Sequence, residues 1–236
     1  MQQPVENEII RSARELLSGS FQGILSSHSV ECAGYPFGSL LPYSLDRDGW
    51  PLILISHLAK HTRNLAADPH CSLTIAEQGS GDTQTLTRLS CLTDAKRVHE
   101  IGNETAERHF RYYPESRVYY RDLNFHFYRL EPVRYYCVAG FGAARWISID
   151  RMNGRNPFTH AEEDLLLADI NSQFSERLCK RLAQQIDNDS PLLAIGLDAT
   201  GLDLRQNDRL LRLELPVPAR NPAEYRARLI DRLSLP

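Results

Sequence analysis

Lysine is nearly missing from this chain: Lys60, Lys96 and Lys180 are the only three among 27 basic residues. The arginine-rich balance still leaves a net charge of −3, which excludes a general polyanion binder such as a nucleic-acid-coating protein. No C-x-x-C pair occurs among Cys32, Cys71, Cys91, Cys137 and Cys179. An odd number of cysteines at wide spacing excludes a disulfide framework and a clustered zinc site, and reads as reduced thiols. No apolar run approaches the ~18 residues that a membrane helix needs. The opening MQQPVENEII has no apolar core of a secretory leader, so a cytoplasmic protein without membrane contact is expected.

Several chemical signatures are missing too. Ser39 in GYPFGSL does not sit in G-x-S-x-G, and no base partner is visible for it. His57 and His61 have the i, i+4 spacing of a metal pair, but lack the glutamate of H-E-x-x-H and a third ligand. In GFGAAR (140–145) Arg145 stands where a dinucleotide loop needs its third glycine, and the strand-like WISI follows instead of a helix. Gly140 and Gly142 there read as close strand packing. Glu162 and Glu163 read as helix N-terminal charges. No metal site is expected, and the catalytic residues stay unassigned.

What is present is a chain of 236 residues, 42% hydrophobic, long enough to bury a core without staples. Ile9, Ile10, Ala13, Leu16 and Leu17 fall at helical spacing, and GSFQGILSSHS then turns to strand character. Two apolar runs flank Asp46 to Gly49, where Asp-Gly signals a hairpin. After a short helix (56–70), strands are expected at 71–77 and 86–98, separated by a turn around Gly79 to Asp82. Residues 102–121 read as helix in pieces, broken near Pro114; NFHFYRL, VRYYCVAGF and ARWISI read as three strands. The aromatic and arginine interleaving over 111–136 reads as core and dimer-interface packing, with single-stranded nucleic acid or a flat aromatic ligand as the alternatives; His126 reads as lining the barrel, with iron ligation as its alternative.

Residues 1–150 therefore read as antiparallel β with inserted helices, in a barrel. DRMNGRNPF has linker composition, giving a linker at 151–158 and a second, smaller α-β-β-β-α domain at 159–236. Thr159 and Glu162 have capping-box spacing, opening a helix through about Gln185 with a stripe of Leu165, Leu166, Ala168 or Ile170, Phe174, Leu178 and Leu182. Turns are expected at Thr200-Gly201 and near Asn207-Asp208, and a final helix from about Pro222 to Leu233.

The stretch SHLAKHTRNLAADPH (56–70) has its charges at the wrong end. Ser56 is the expected N-cap and Asp68-Pro69 the close, yet Lys60, His61 and Arg63 crowd the first turns, where the helix dipole is already positive. Leu58, Thr62, Leu65 and Ala66 are the expected anchors. Cations converging with free N–H groups make an anion site, and phosphate fits it.

The stretch GYPFGSLLPYSLDRDGWPLILISHLAKHTRNLAADPHCSLTI (34–75) resembles the flavin-binding split-barrel superfamily that includes pyridoxamine 5′-phosphate oxidase. More narrowly it resembles the haem-utilisation, HugZ-like branch, as do RLSCLTDAKRV, VAGFGAARWI and the small C-terminal domain. The resemblance implies a mainly β plus α fold: a six-stranded antiparallel FMN-binding split β-barrel, in a homodimer with ligands between subunits. It implies FMN phosphate on Lys60, His61, Thr62 and Arg63, with Arg88 as a further phosphate ligand and Ser39, Leu40 and Leu41 by the isoalloxazine. Haem is the other cofactor it implies, through an axial histidine that relatives take from a C-terminal tail; here the last histidine is His160. Ala143 stands where relatives carry a basic residue, and DINSQFSE keeps only Asn171 of their Met-Asn-x-Asp-His. The function expected first is an FMN-binding split-barrel oxidoreductase acting in haem utilisation; the alternatives are a haem-binding and haem-degrading protein without flavin, and a non-catalytic regulator of tetrapyrrole metabolism.

Overall fold

The computed structural model describes residues 3–79, 82–140, 143–152, 154–187 and 190–234. Gly142, and Ser80 and Gly81 of the expected turn, lie outside the described residues. The chain divides into two compact units, Met1–Gly102 with Glu115–Gly154, and Asn103–Pro114 with Arg155–Pro236.

The first unit opens with α1 (Gln3–Gly19), whose Ile9, Ile10, Ala13 and Leu17 are buried in the main core. Then come β1 (Gln22–His28), β2 (Pro36–Pro42), β3 (Ser44–Leu45), β4 (Pro51–Ser56), α2 (Lys60–Ala67), β5 (His70–Ala76) and β6 (Arg88–Arg97). The chain leaves for the second unit through α3 (Asn103–Tyr112) and returns with α4 (Ser116–Asp122), β7 (Phe125–Val138), β8 (Ala144–Ile147) and α5 (Ile149–Met152).

All eight strands form one antiparallel sheet, ordered β2-β1-β5-β6-β7-β4-β3, with β8 also on β7. The two edges of that order, β2 and β3, are separated in the chain by Tyr43 alone. The sheet must therefore curl until its edges meet, as a split barrel does. Six long strands make the barrel, as expected; β3 and β8 are short additions. Tyr43 is 1% exposed and its hydroxyl donates to the Leu17 carbonyl at 2.6 Å, tying α1 to the seam.

Local chemistry explains the turns. Asp46 Oδ1 accepts from the N–H groups of Asp48 and Trp50, both at 2.9 Å, and Gly49 takes φ +78°, which a side chain would strain. Two expected strands are in fact one: β7 runs unbroken through Pro132. The register against β6 slips between Leu92 and Thr93, leaving Val133 bulged out and 54% exposed. A bulge tolerates the missing proline N–H, so Pro132 bends the strand without ending it.

In the second unit, α6 (His160–Gln173), α7 (Ser175–Arg181), β9 (Leu193–Asp198), β10 (Gly201–Gln206), β11 (Arg209–Glu214) and α8 (Pro222–Ser234) give a three-stranded meander flanked by helices. The capping box forms: Glu162 N–H donates to Thr159 Oγ1 at 3.2 Å, and Thr159 N–H donates to Glu162 Oε2 at 2.8 Å. The single helix expected here breaks at Phe174 into α6 and α7, and Leu165 of its expected stripe is 72% exposed while Leu166 and Leu167 are buried.

This unit buries charge. Arg212 bonds Asp198 at 2.8 Å, Asp203 at 2.7 Å and Glu214 at 2.6 Å. The Tyr112 hydroxyl, carried in on α3, donates to Asp203 at 2.6 Å, and Arg108 pairs with Glu163 at 3.0 Å. Gly196 makes room for Tyr112, whose hydroxyl would lie 1.9 Å from any Cβ there.

Candidate functional site

The helix with misplaced charges starts later than its sequence suggests. Ser56 ends β4, and Ala59 is the N-cap of α2 without a side-chain bond. Ser56 Oγ instead accepts from Leu58 N–H at 3.2 Å, because the chain turns for three residues before the helix begins. Leu58 is 74% exposed and Ala66 is also exposed, so neither anchors α2. Thr62, Asn64 and Leu65 do. Asn64 was not singled out from the sequence, yet its amide holds the β1–β2 loop: Oδ1 accepts from Val30 N–H and Nδ2 donates to Ser27 Oγ, both at 3.0 Å.

That loop supplies the anion. Glu31 pairs with Lys60 at 2.5 Å and reaches Arg63 at 4.0 Å. The Lys60 ammonium, bonded to it, holds the Glu31 carboxyl below the usual carboxylate range. The two cations, Glu31, Asn64, Ser29, Val30 and Phe37 line a small pocket of about 50 Å³. A carboxylate of the chain itself thus faces both cations. Lys60 and Arg63 are the residues that would hold an FMN phosphate, and Glu31 is the anion it would have to replace.

The other expected residues divide. His61 Nδ1 hydrogen-bonds Ser39 Oγ at 3.1 Å, joining α2 to β2; burial lowers the His61 pKa, and its buried Nε2 has no hydrogen-bond partner among the described residues. Thr62 turns inward and its hydroxyl donates to the Ser56 carbonyl at 2.6 Å. Leu40 is 71% exposed and Leu41 is buried in the barrel core. Arg88 is not brought to the group. It pairs with Ala76, six residues along β5 from His70 where the chain leaves α2, which is about 20 Å of strand.

A second concentration lies around His126, which pairs with Ile55 across β7 and β4 and is half-buried. Burial, then the nearby charges of Arg97, His57 and His99, lower its pKa and keep the imidazole neutral at pH 7. His57 Nδ1 donates to the Asn124 carbonyl at 3.2 Å. Among the described residues no group of three or more His, Cys, Asp or Glu is set to hold a bare metal ion. A haem brings its iron in the porphyrin and asks for one neutral nitrogen. His126 fits that need better than His61, whose free nitrogen is closed to solvent.

Two of the cysteines are held as thiols by burial. All five are free thiols; burial pushes Cys91 up to about 12 and Cys137 up to about 11, keeping both protonated. No helix among the described residues is long and apolar enough to cross a membrane.

Residues 4–153 match the family described as CREG, beta-barrel. The chain is 28% identical over 244 residues, 95% of it and 72% of the relative, to the Non-canonical heme oxygenase HOZ, chloroplastic, of Arabidopsis thaliana. It is 29% identical over 141 residues, 57% of it and 78% of the relative, to Heme oxygenase HutZ of Vibrio cholerae. Among solved structures, a protein of unknown function from Agrobacterium tumefaciens superposes with a TM-score of 0.77 at 22% identity. The superposition covers 95% of this chain and 94% of that one. These findings agree with the split-barrel, HugZ-like resemblance read from residues 34–75.

Proposed function

The chain belongs to the CREG β-barrel family, and from that premise we propose that it binds haem and serves in haem utilisation as a haem oxygenase. One observation carries the reading. The likeness to the Arabidopsis heme oxygenase spans 95% of the chain, so it runs through both compact units and not through the barrel alone. When bound, haem supplies the iron and its oxygen chemistry. The chain's own part is to bind and orient it: His126 offers a neutral imidazole nitrogen, and Arg97 beside it offers a cation for a propionate. Two copies of the chain form the functional unit in this reading. Its support is the exposed apolar pair of Ile24 and Leu40, cross-strand partners on β1 and β2, 47% and 71% exposed.

Haemin titration followed by absorption tests this. Wild type gives a shifted Soret band that decays when ascorbate and oxygen are supplied, and His126→Ala loses the shift while keeping the wild-type circular dichroism. A Soret band indifferent to His126→Ala removes the ligand assignment. A bound band that never decays removes the oxygenase.

A second reading has an observation of its own. Lys60 and Arg63 already converge on one carboxylate, so FMN phosphate can take the place of Glu31 and make the protein an FMN-dependent oxidoreductase. Glu31→Gln then binds FMN several-fold more tightly than wild type, and Lys60→Ala more weakly, both measured by flavin fluorescence. Equal affinity in all three proteins sinks the phosphate site.

A further inference from the structure

We propose that the cavity between α1 and β8 binds a planar aromatic anion, a carboxylate or phosphate carried on a flat ring. It shares no residue with the haem and FMN groups above. The cavity is about 240 Å³, below the ~300–1,000 Å³ of drug-sized ligand sites, so it takes a small ligand or one end of a larger one.

Its walls combine charge and a flat apolar surface. Ile9 and Ile10 of α1 contribute the apolar side, and Arg134, Arg145 and Arg151 converge from β7, β8 and α5. The one carboxylate lining it is Glu6, which is bonded to Arg151 at 3.1 Å. Arg151 also reaches Asn7 Oδ1 at 3.3 Å, and Arg14 stands behind it, donating to its carbonyl at 2.5 Å. Among the described residues, Arg134 and Arg145 have no carboxylate partner. Three guanidiniums facing one acid leave a local surplus of positive charge, in a protein whose net charge is negative.

Trp146 supplies the ring-binding surface. Its indole is 51% exposed, yet it is held on two sides: the Arg134 guanidinium lies 5.0 Å from its ring centre and the Tyr136 ring 4.9 Å away. A large aromatic side chain fixed in place and still open to solvent presents area at little entropic cost. Among the described residues β8 pairs with β7 alone. A flat anion satisfies every part at once, with its ring against the indole and its charge on Arg134 and Arg145. Bare phosphate leaves the indole unused; an uncharged aromatic leaves the guanidiniums unused.

Isothermal titration of the full chain with four probes tests the site: 1-naphthyl phosphate, 1-naphthoate, naphthalene-1-methanol and inorganic phosphate. The expected result is binding of at least one aromatic anion, the tighter of the two identifying the headgroup, with the alcohol and inorganic phosphate at least about tenfold weaker. Arg134→Gln and Arg145→Gln, both on exposed side chains, each weaken the anion by about tenfold, and Glu6→Gln strengthens it. Trp146→Leu weakens the aromatic anion and leaves inorganic phosphate unchanged. Failure of wild type to bind either aromatic anion overturns the proposal. So does wild-type affinity in both arginine variants, whose fold is checked by circular dichroism.

Discussion

Arg212 and Lys60 are both cations bonded to carboxylates, and they do opposite things. Arg212 is 3% exposed and divides its guanidinium among Asp198, Asp203 and Glu214. Lys60 is 53% exposed and meets Glu31, itself 56% exposed. A buried cation must be matched in place, because removing a partner strands the rest in low dielectric. An exposed pair is screened by water and can be exchanged for another partner with little loss. The second unit therefore uses charge to hold its own meander and α3 together. In the first unit Lys60 and Arg63 stay available for exchange. A ligand belongs where charge can be traded.

Breaking the buried side of this contrast has the largest effect. Arg212→Met leaves three carboxylates without their cation and lowers stability by about 3–5 kcal/mol, read from urea unfolding. Tyr112→Phe removes a hydrogen bond to Asp203 and lowers it by about 2 kcal/mol.

The pH dependence comes next. Burial and the neighbouring Arg108 lower the His109 pKa from 6.5 to about 3. The fold holds this imidazole neutral while the unfolded chain takes up a proton, so the unfolded state binds more protons between pH 6.5 and 3. Its contribution is full above pH 6.5 and is lost as pH falls towards 3. His109→Gln therefore flattens the fall of the urea midpoint between pH 7 and 4; a slope equal to wild type contradicts the burial. Smallest of all is Glu31→Gln, which leaves the urea midpoint within error of wild type although it removes two ion pairs. A clear loss of stability there erases the contrast between the two kinds of charge.

Legibility in the sequence followed the range of each interaction. Thr159 and Glu162 are three residues apart and Asp46 to Gly49 close on themselves, so both were readable as patterns. Pro132 was misread because the bulge that accommodates it needs β6, more than thirty residues earlier. The split of α6 from α7 at Phe174 has no glycine or proline to announce it. In the candidate site, Lys60, His61 and Arg63 stood out because cations in a first turn violate a local rule. Glu31 did not: a lone glutamate in a loop, 29 residues from its partner, carries no periodic signal. Arg134 was visible only within the arginine and aromatic run over 111–136, Arg145 only as the residue in place of a loop glycine and Trp146 only in a strand, with nothing to say that they share a cavity with α1.

By itself the sequence determined the alternation of strands and helices, the hairpin at Asp46 to Gly49, the capped start of α6 and a helix whose first turn seeks an anion. Those depend on backbone dihedrals and on neighbours within a few residues, which the chain carries wherever it goes. Only the tertiary structure decided that the anion is Glu31, that Thr62 faces inward, that Arg88 lies about 20 Å of strand away, and that Arg212 is shared three ways. The reason is physical: charge and burial act through space, and their values are set once the sheet has curled and the loops have been brought together.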